Sequence, residues 1–271
     1  MGNKISVIMA CYNCEKTMDK AIESILAQTY DNWVMICCDD GSKDRTWEKL
    51  QEYKEKYPEK FIILKNETNK QLPYSLNRCL EYVETEYVAR MDADDWSLPQ
   101  RFEQQIKYLV EHPDVDLVGT GLSVFDGEKK IASIIREPFP TPKSMINSNA
   151  FSHATIMTHK RVYDELKGYS LDPTVIRVED VDLWCRFFAA GFKGHNLKDE
   201  LYVILEDVNA VKRRTLQARI NSAKTRARGY RLMGFKGFVC YRAYFSVLKA
   251  FVPVKVYQIL HTWKLNKKKG I

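Results

Sequence analysis

Asp92, Asp94 and Asp95 stand within four positions of one another in the segment YVARMDADDWSLP (87–99), directly behind an apolar run. Carboxylates crowded this closely repel one another and resist burial, so the segment requires a compensating positive charge. Asp92-Ala93-Asp94 presents two carboxylates at alternating positions, with Asp95 beside them. Oxygen-only ligands of this kind suit a hard cation such as Mg2+ or Mn2+ rather than zinc. A cation held by one or two carboxylates keeps positions open for substrate phosphates. The chemistry expected here is a metal ion bridging the protein to a diphosphate.

Two further polar clusters, CYN (11–13) and DDGS (39–42), each follow a short apolar run. The elements that position all three are legible from period and composition. Ile5–Ala10, Trp33–Cys38, Phe61–Leu64 and Tyr87–Met91 are short, apolar and rich in β-branched residues, as buried strands are. Between them, Glu15–Ala27 carries Met18, Ala21, Ile22 and Ile25 at helical spacing, Thr46–Tyr57 is a helix stopped by Pro58, and Tyr74–Val83 is a third. Alternating strands and helices imply a parallel sheet covered on both faces. In such a sheet the three clusters share one edge, where open α/β folds bind ligands. Helix capping accounts for part of the polarity: Ser42 or Asp44 suits the start of the second helix, and Ser97 with Pro99 the start of the next. A cap needs one short polar side chain, however, not three carboxylates. Beyond Pro99 the spacing predicts a helix over Arg101–Glu111, a strand over Asp116–Val124, and strand and loop over 126–150, broken by Pro138, Pro140 and Pro142. Glu179–Ala190 reads as a helix, with Leu183/Phe187 and Trp184/Phe188 paired four apart.

Five segments, SVIMACYN, ESILAQTYDNW, DDGSKDRT, YVARMDADDWSLPQR and VEDVDLWCRF, occur in the order found in one family. Over roughly residues 4–205 the chain resembles family 2 glycosyltransferases of the GT-A fold, and among them bacterial enzymes that assemble capsules, exopolysaccharides or O-antigens. The resemblance implies an α/β fold with a Rossmann-like, mostly parallel central sheet. Residues 1–98 would form a nucleotide-binding half and 99–205 an acceptor half, with 206–271 as a basic helical extension. It implies inverting transfer from a nucleotide-sugar, a UDP-sugar by preference, with Mn2+ or Mg2+ as cofactor. Carried over by position, Tyr12 flanks the base, Asp40 accepts a hydrogen bond from uracil or thymine N3–H, and Asp39 supports their loop. Ala10, Asn13, Glu15, Arg90 and Ala93 complete the donor contacts, Asp92 faces the ribose or the metal, and Asp94 ligates the metal. Asp180 in VEDVDLW matches the general base, and its place at a helix start favours the ionised form. Two departures stand out. Gln71 stands where the resemblance implies glycine, and LYVILEDVN offers Glu206 and Asp207 where some relatives supply a histidine to the metal. His153, His159 and His195 read as structural or acceptor-side.

A hydrophobic fraction of 45% with 12% aromatics supports a packed core and argues against disorder. Seven cysteines, with Cys37 and Cys38 adjacent, form no disulfide framework, which favours a reducing cytoplasm. No basic region followed by a secretory apolar stretch opens the sequence; Met1-Gly2 fits the loose myristoylation pattern, yet Ile5 already begins a strand. CYNC has redox spacing at a strand-to-helix turn, but one cysteine pair cannot complete a four-ligand zinc site. No phosphate-binding Gly-x4-Gly-Lys loop exists, and Gly119-Thr120-Gly121 lacks the third glycine of a dinucleotide fingerprint.

The net charge of +7 hides a division. Residues 1–207 hold 26 basic and 35 acidic residues, whereas the remainder holds 16 basic residues and no acid. Arg219, Lys224, Arg226, Arg228 and Arg231, followed by Phe235, Phe238, Tyr241 and Phe245, suit a helix lying in an anionic membrane interface. A basic face packed on the acidic body and a nucleic-acid surface are the other readings. The apolar content exceeds what phosphate binding needs, so nucleic acid is the least favoured. The expected location is therefore the inner face of the cell membrane, held peripherally, with a lipid-linked glycan acceptor such as an undecaprenyl diphosphate sugar. On this reading a chain cut before Gly229 keeps donor hydrolysis, because the metal and base residues lie earlier. Two rivals remain: a sugar-phosphate nucleotidyltransferase, whose glycine-rich basic loop CYNCEKT does not supply, and a non-catalytic adaptor, which would not need Asp94 and Asp180.

Overall fold

The computed structural model describes residues 3–205 and 215–248. Gly2 of the acylation pattern, Glu206, Asp207 and the basic residues from 249 onward lie outside the described residues. The first part of the chain alternates as expected: β1 (Ile5–Cys11), α1 (Met18–Leu26), β2 (Trp33–Asp39), α2 (Thr46–Lys56), β3 (Phe61–Lys65), α3 (Leu72–Glu81) and β4 (Tyr87–Arg90). There follow β5 (Trp96–Ser97), α4 (Arg101–Glu111), β6 (Leu117–Phe125), β7 (Lys130–Ile134), α5 (Ser144–Asn147), β8 (Met157–His159), α6 (Lys160–Leu166), α7 (Glu179–Ala189) and β9 (Gly194–Leu205). Three helices close the described chain: α8 (Leu216–Leu232), α9 (Phe238–Arg242) and α10 (Phe245–Leu248).

Some boundaries differ from the expectation for local reasons. The first helix starts at Met18, not Glu15, because Cys14 O accepts from both Thr17 N and Met18 N in a turn. The third starts earlier, at Leu72, because Pro73 is well suited to a first helical turn. Asp44 does serve the start of α2, its carboxylate accepting from Thr46 N at 3.1 Å. Ser97 does not cap α4: it lies in β5 and accepts from Arg101 Nη1 at 2.8 Å.

One sheet runs in the order β3-β2-β1-β4-β8-β6-β9-β5, with β7 on the side of β6. β3, β2, β1 and β4 are parallel, β8 runs antiparallel to β4 and β6, and β9 is parallel to β6. Cys11 stands opposite Asp39, and Ile8 opposite Arg90, so three strand ends reach the same edge together. Side chains alternate between two cores, as the pleat dictates. Ile5, Val7 and Met9 pack with Met18, Ile22, Phe102 and Ile106, whereas Ile8, Ile36 and Val88 pack with Leu76, Leu183, Trp184 and Phe187.

The second core also contains Ala227 and Tyr230 of α8. This helix lies against α7 so closely that a Cβ on Gly229 would stand 2.4 Å from Cys185 Sγ. Tyr230 is buried and donates to Met145 O at 3.0 Å. α8, although it follows the boundary drawn after residue 205, packs on the body, because its small residues allow close helix contact. A cut before Gly229 would remove Tyr230 from the core and is not a clean tail deletion. Gly229→Leu is expected to cost about 1–3 kcal/mol through overpacking, read as a lower urea midpoint at unchanged m-value. An unchanged midpoint would show that α8 is not docked on α7.

Candidate active site

At the ends of β1 and β2, Tyr12 stands nearly half exposed, at 48%, over a hollow of about 420 Å3 that Ala10, Asp40, Gln71, Arg177 and Glu179 help to line. Asp40 is buried and firmly held. Its Oδ1 accepts from Asn66 Nδ2 at 2.7 Å and from Lys70 N at 2.8 Å, and its Oδ2 from Gln71 N at 2.9 Å. A carboxylate has about four acceptor sites, which leaves one for a ligand. Asp39 accepts from Ser42 N at 3.1 Å within the loop after β2. Gly41 sits at φ +71, and a Cβ there would lie 2.7 Å from the Thr68 backbone, so only glycine fits this turn. Asn13 and Glu15 do not line this hollow. Asn13 accepts from Lys43 N at 2.8 Å and Glu15 from Arg45 N at 3.0 Å, which ties the Tyr12 turn to the loop after β2.

Gln71 has φ 76 and ψ 157, a conformation that glycine adopts freely and other residues at a cost of about 1–3 kcal/mol. The resemblance implied glycine here, and the backbone explains why. The backbone N–H still reaches Asp40 despite the side chain. Cys11 and Cys14 are buried free thiols. A hydrogen bond with Cys14, together with burial, pushes the Cys11 thiol well above its ordinary value, and the same hydrogen bond lowers that of Cys14.

A second hollow, of about 340 Å3, adjoins the first: Glu179 lines one and its neighbour Asp180 the other. It gathers Asp92, Asp94 and Asp95 from the end of β4 with Asp180 from the start of α7. Part of the positive charge that the aspartates require is supplied by the protein itself. Arg90, only 3% exposed, binds both oxygens of Asp92 at 2.6 and 2.5 Å. Arg90 therefore lies beneath Asp92 and is not among the residues lining either hollow; neither is buried Ala93. Asp95 is buried, and burial, reinforced by the charges of Asp92 and Asp94, pushes its carboxyl up to about 8. Tyr202 from β9 accepts from Asp92 N at 3.1 Å and steadies the turn. Asp94 is exposed to the cleft. Among the described residues no three His, Cys, Asp or Glu side chains converge to cage an ion. The donor set still fits Mg2+ or Mn2+, which one or two carboxylates hold together with substrate phosphates and water.

Asp180 opens onto the cleft but is largely surrounded by protein. Its Oδ1 accepts from Val181 N at 2.8 Å and its Oδ2 from Asn149 Nδ2 at 2.7 Å. Its carboxyl is raised, because desolvation outweighs the helix-start hydrogen bond and the cations Arg226 and Arg90. The helix start acts in favour of the ionised form, and burial acts against it. A raised carboxyl is the better proton acceptor once ionised. His153 also lines this hollow; burial and Arg90 hold its imidazole well below its ordinary value, and Nε2 bonds Tyr169 Oη at 2.8 Å. His159 lies at the opposite sheet edge, 3.3 Å from Glu86, and His195 stacks on Tyr108. A larger hollow of about 580 Å3, lined by Glu84, Glu86 and His159, occupies that opposite edge, away from the aspartates.

Three residues of the site escaped the sequence reading. Arg136 and Asn149 come from the proline-broken stretch, where no period announces which side chains turn inward. Arg177 lines the first hollow at φ 67, at a position where no glycine signals the turn.

The sequence profile of the family described as glycosyl transferase family 2 matches residues 6–166. The EpsE protein of Bacillus subtilis (strain 168) is 39% identical over 271 residues, covering 100% of this chain and 98% of EpsE. WfaP of Escherichia coli, named a UDP-Glc:alpha-D-GlcNAc-diphosphoundecaprenol beta-1,3-glucosyltransferase, is 28% identical over 192 residues, 71% of this chain and 73% of WfaP. Among solved structures, S. aureus TarS 1-349 in complex with UDP matches with a TM-score of 0.70 at 17% identity, covering 91% of this chain and 71% of that one. The shared architecture is the GT-A fold.

Proposed function

This chain belongs to glycosyl transferase family 2, and we propose from that premise that it is an inverting, metal-dependent transferase. It would move a sugar from a UDP-sugar to a lipid-linked acceptor in bacterial surface-polysaccharide synthesis. The observation that carries this reading is the meeting of Asp94 and Asp180 in one hollow that adjoins the hollow of Tyr12 and Asp40.

Tyr12 flanks the base, and the remaining acceptor site of Asp40 takes the uracil N3–H. Asp94, with Asp92 beside it, would hold Mn2+ or Mg2+, which would supply charge neutralisation for the leaving diphosphate. Asp180 accepts the proton of the acceptor hydroxyl as that oxygen bonds the anomeric carbon and the bond to the diphosphate breaks. Attack on the face opposite the leaving group inverts the centre. The similarity to WfaP, whose name gives a diphosphoundecaprenol-linked acceptor, supports a diphosphate-linked lipid acceptor. A screen of nucleotide-sugars for Mn2+-stimulated hydrolysis is expected to find UDP-sugars preferred. Hydrolysis indifferent to both metal and base would overturn the reading.

The acceptor reading brings a membrane surface with it. Arg226 and Arg228 are turned to the body, so the interface face assigned to α8 is narrower than expected. Exposed aromatics lie instead on α9 and α10, where Phe238 is 66%, Tyr241 63% and Phe245 51% exposed, near Arg242. No helix among the described residues is long and apolar enough to cross a membrane. Attraction to anionic lipid is screened over roughly 8 Å at physiological salt, whereas burial of aromatic faces is not. The protein is expected to sediment with anionic vesicles and to be only partly released by salt. Replacing Phe238, Tyr241 and Phe245 together with serine should make release complete; a parent protein that ignores such vesicles would refute membrane attachment.

A further inference from the structure

The basic helix α8 reaches the candidate base. Arg226 Nη2 donates to Asn149 Oδ1 at 3.1 Å, and Asn149 Nδ2 donates to Asp180 Oδ2 at 2.7 Å. Both ends of the Asn149 amide are therefore engaged, which fixes the amide plane and with it one oxygen of Asp180. The other oxygen is fixed by Val181 N. Neighbouring residues of α8 anchor the same stretch of chain. Thr225 Oγ1 donates to Thr174 O at 3.1 Å, and Arg228 spans Asp172 at 2.7 Å and Asp182 at 2.8 Å.

Arg228 and the buried face of α8 already dock the helix by charge pairing and packing. Arg226 makes no ion pair among the described residues. It is half-buried, and its hydrogen bond goes to a neutral amide that in turn donates to the carboxylate facing the cleft. A cation on the amide oxygen polarises the amide and strengthens the N–H that its other end donates. The groups around Asp180 are Arg226 from α8, Arg90 from β4, Glu179 beside it, Arg136 after β7, and Asp92, Asp94, Asp95 and His153 across the hollow. Of these, Arg226 is the cation tied to Asp180 through a shared hydrogen-bond partner.

We propose that Arg226, acting through Asn149, is a positioning residue for proton transfer to Asp180, so that α8 is a working part of the transferase as well as its link to the tail. This rests on reading Asp180 as the base. Misplacing a reacting group by about 1 Å can cost about 100-fold, so kcat is expected to fall about 10–100-fold in Arg226→Ala, with the donor KM within about twofold of the parent. Arg226→Met keeps the apolar stem that packs the helix and should show the same kcat loss at near-parent stability, whereas Arg226→Lys should recover part of it. Because Arg226 acts through Asp180, the double variant Asp180→Asn/Arg226→Met should be no slower than Asp180→Asn alone. Losses that multiply in the double variant, or an unchanged kcat in Arg226→Met, would overturn the proposal. An Asp180→Asn enzyme that keeps the parent kcat would overturn the base reading itself, whatever Arg226 does.

Discussion

Asp94→Ala is expected to abolish sugar transfer and, with it, Mn2+-dependent binding of the nucleoside diphosphate, while leaving the unfolding midpoint near that of the parent. Asp94 is the exposed member of the aspartate group, so its loss empties no core. It also removes one of the charges that press on buried Asp95. Surface substitutions of this kind usually change stability by no more than about 0.5 kcal/mol. Asp92→Ala should fail by a different route. It would leave the Arg90 guanidinium buried without its carboxylate partner, a loss of about 3 kcal/mol for a broken buried pair. Activity and stability should therefore fall together at position 92 and separately at position 94. Near-normal transfer by Asp94→Ala at limiting metal would refute the metal assignment.

Asp180→Asn should keep donor and metal affinity and lower kcat by about 10²–10⁴-fold, the usual contribution of a positioned base. The single amide oxygen of asparagine can accept from Asn149 or from Val181 N but not from both, so the shape is kept at the cost of one hydrogen bond. The pH profile offers a second reading. Burial raises the Asp180 carboxyl above the ordinary aspartate value. The acid limb of kcat should accordingly lie above that value in the parent and vanish in the variant. Stability follows with a definite sign. A group whose folded pKa is raised contributes fully below its unfolded pKa and loses that contribution as pH rises through the folded pKa. The stability of the uncharged variant relative to the parent should thus rise from acid to neutral pH, on top of the pH-independent cost of the lost hydrogen bond. Equal losses of donor binding and turnover would instead mark Asp180 as structural.

How much of this was legible beforehand differs from residue to residue. β1, β2 and β4 could be read because apolar β-branched runs end abruptly in polar clusters, and parallel alternation puts those ends on one edge. Tyr12, Asp40, Asp94 and Asp180 were named on that basis and by family resemblance, and all four line the two adjoining hollows. Arg90 was named as a donor contact; the fold turns it under Asp92 as a buried counter-charge, which strand period cannot reveal. Asn13 and Glu15 face the neighbouring loop for a similar reason: side-chain direction in a turn depends on which loop packs beside it.

The basic tail marks the limit most clearly. Sequence alone determined that sixteen cations with interleaved aromatics follow an acidic body, and that the strand ends bear carboxylates suited to a hard cation. Composition is additive along the chain, so such features survive without coordinates. Only the tertiary structure decided that Gly229, Ala227 and Tyr230 seat α8 in the core, and that Arg226 reaches Asn149 and through it Asp180. Those contacts join residues 31 and 77 positions apart in the chain, and their existence depends on helix packing rather than on any local propensity.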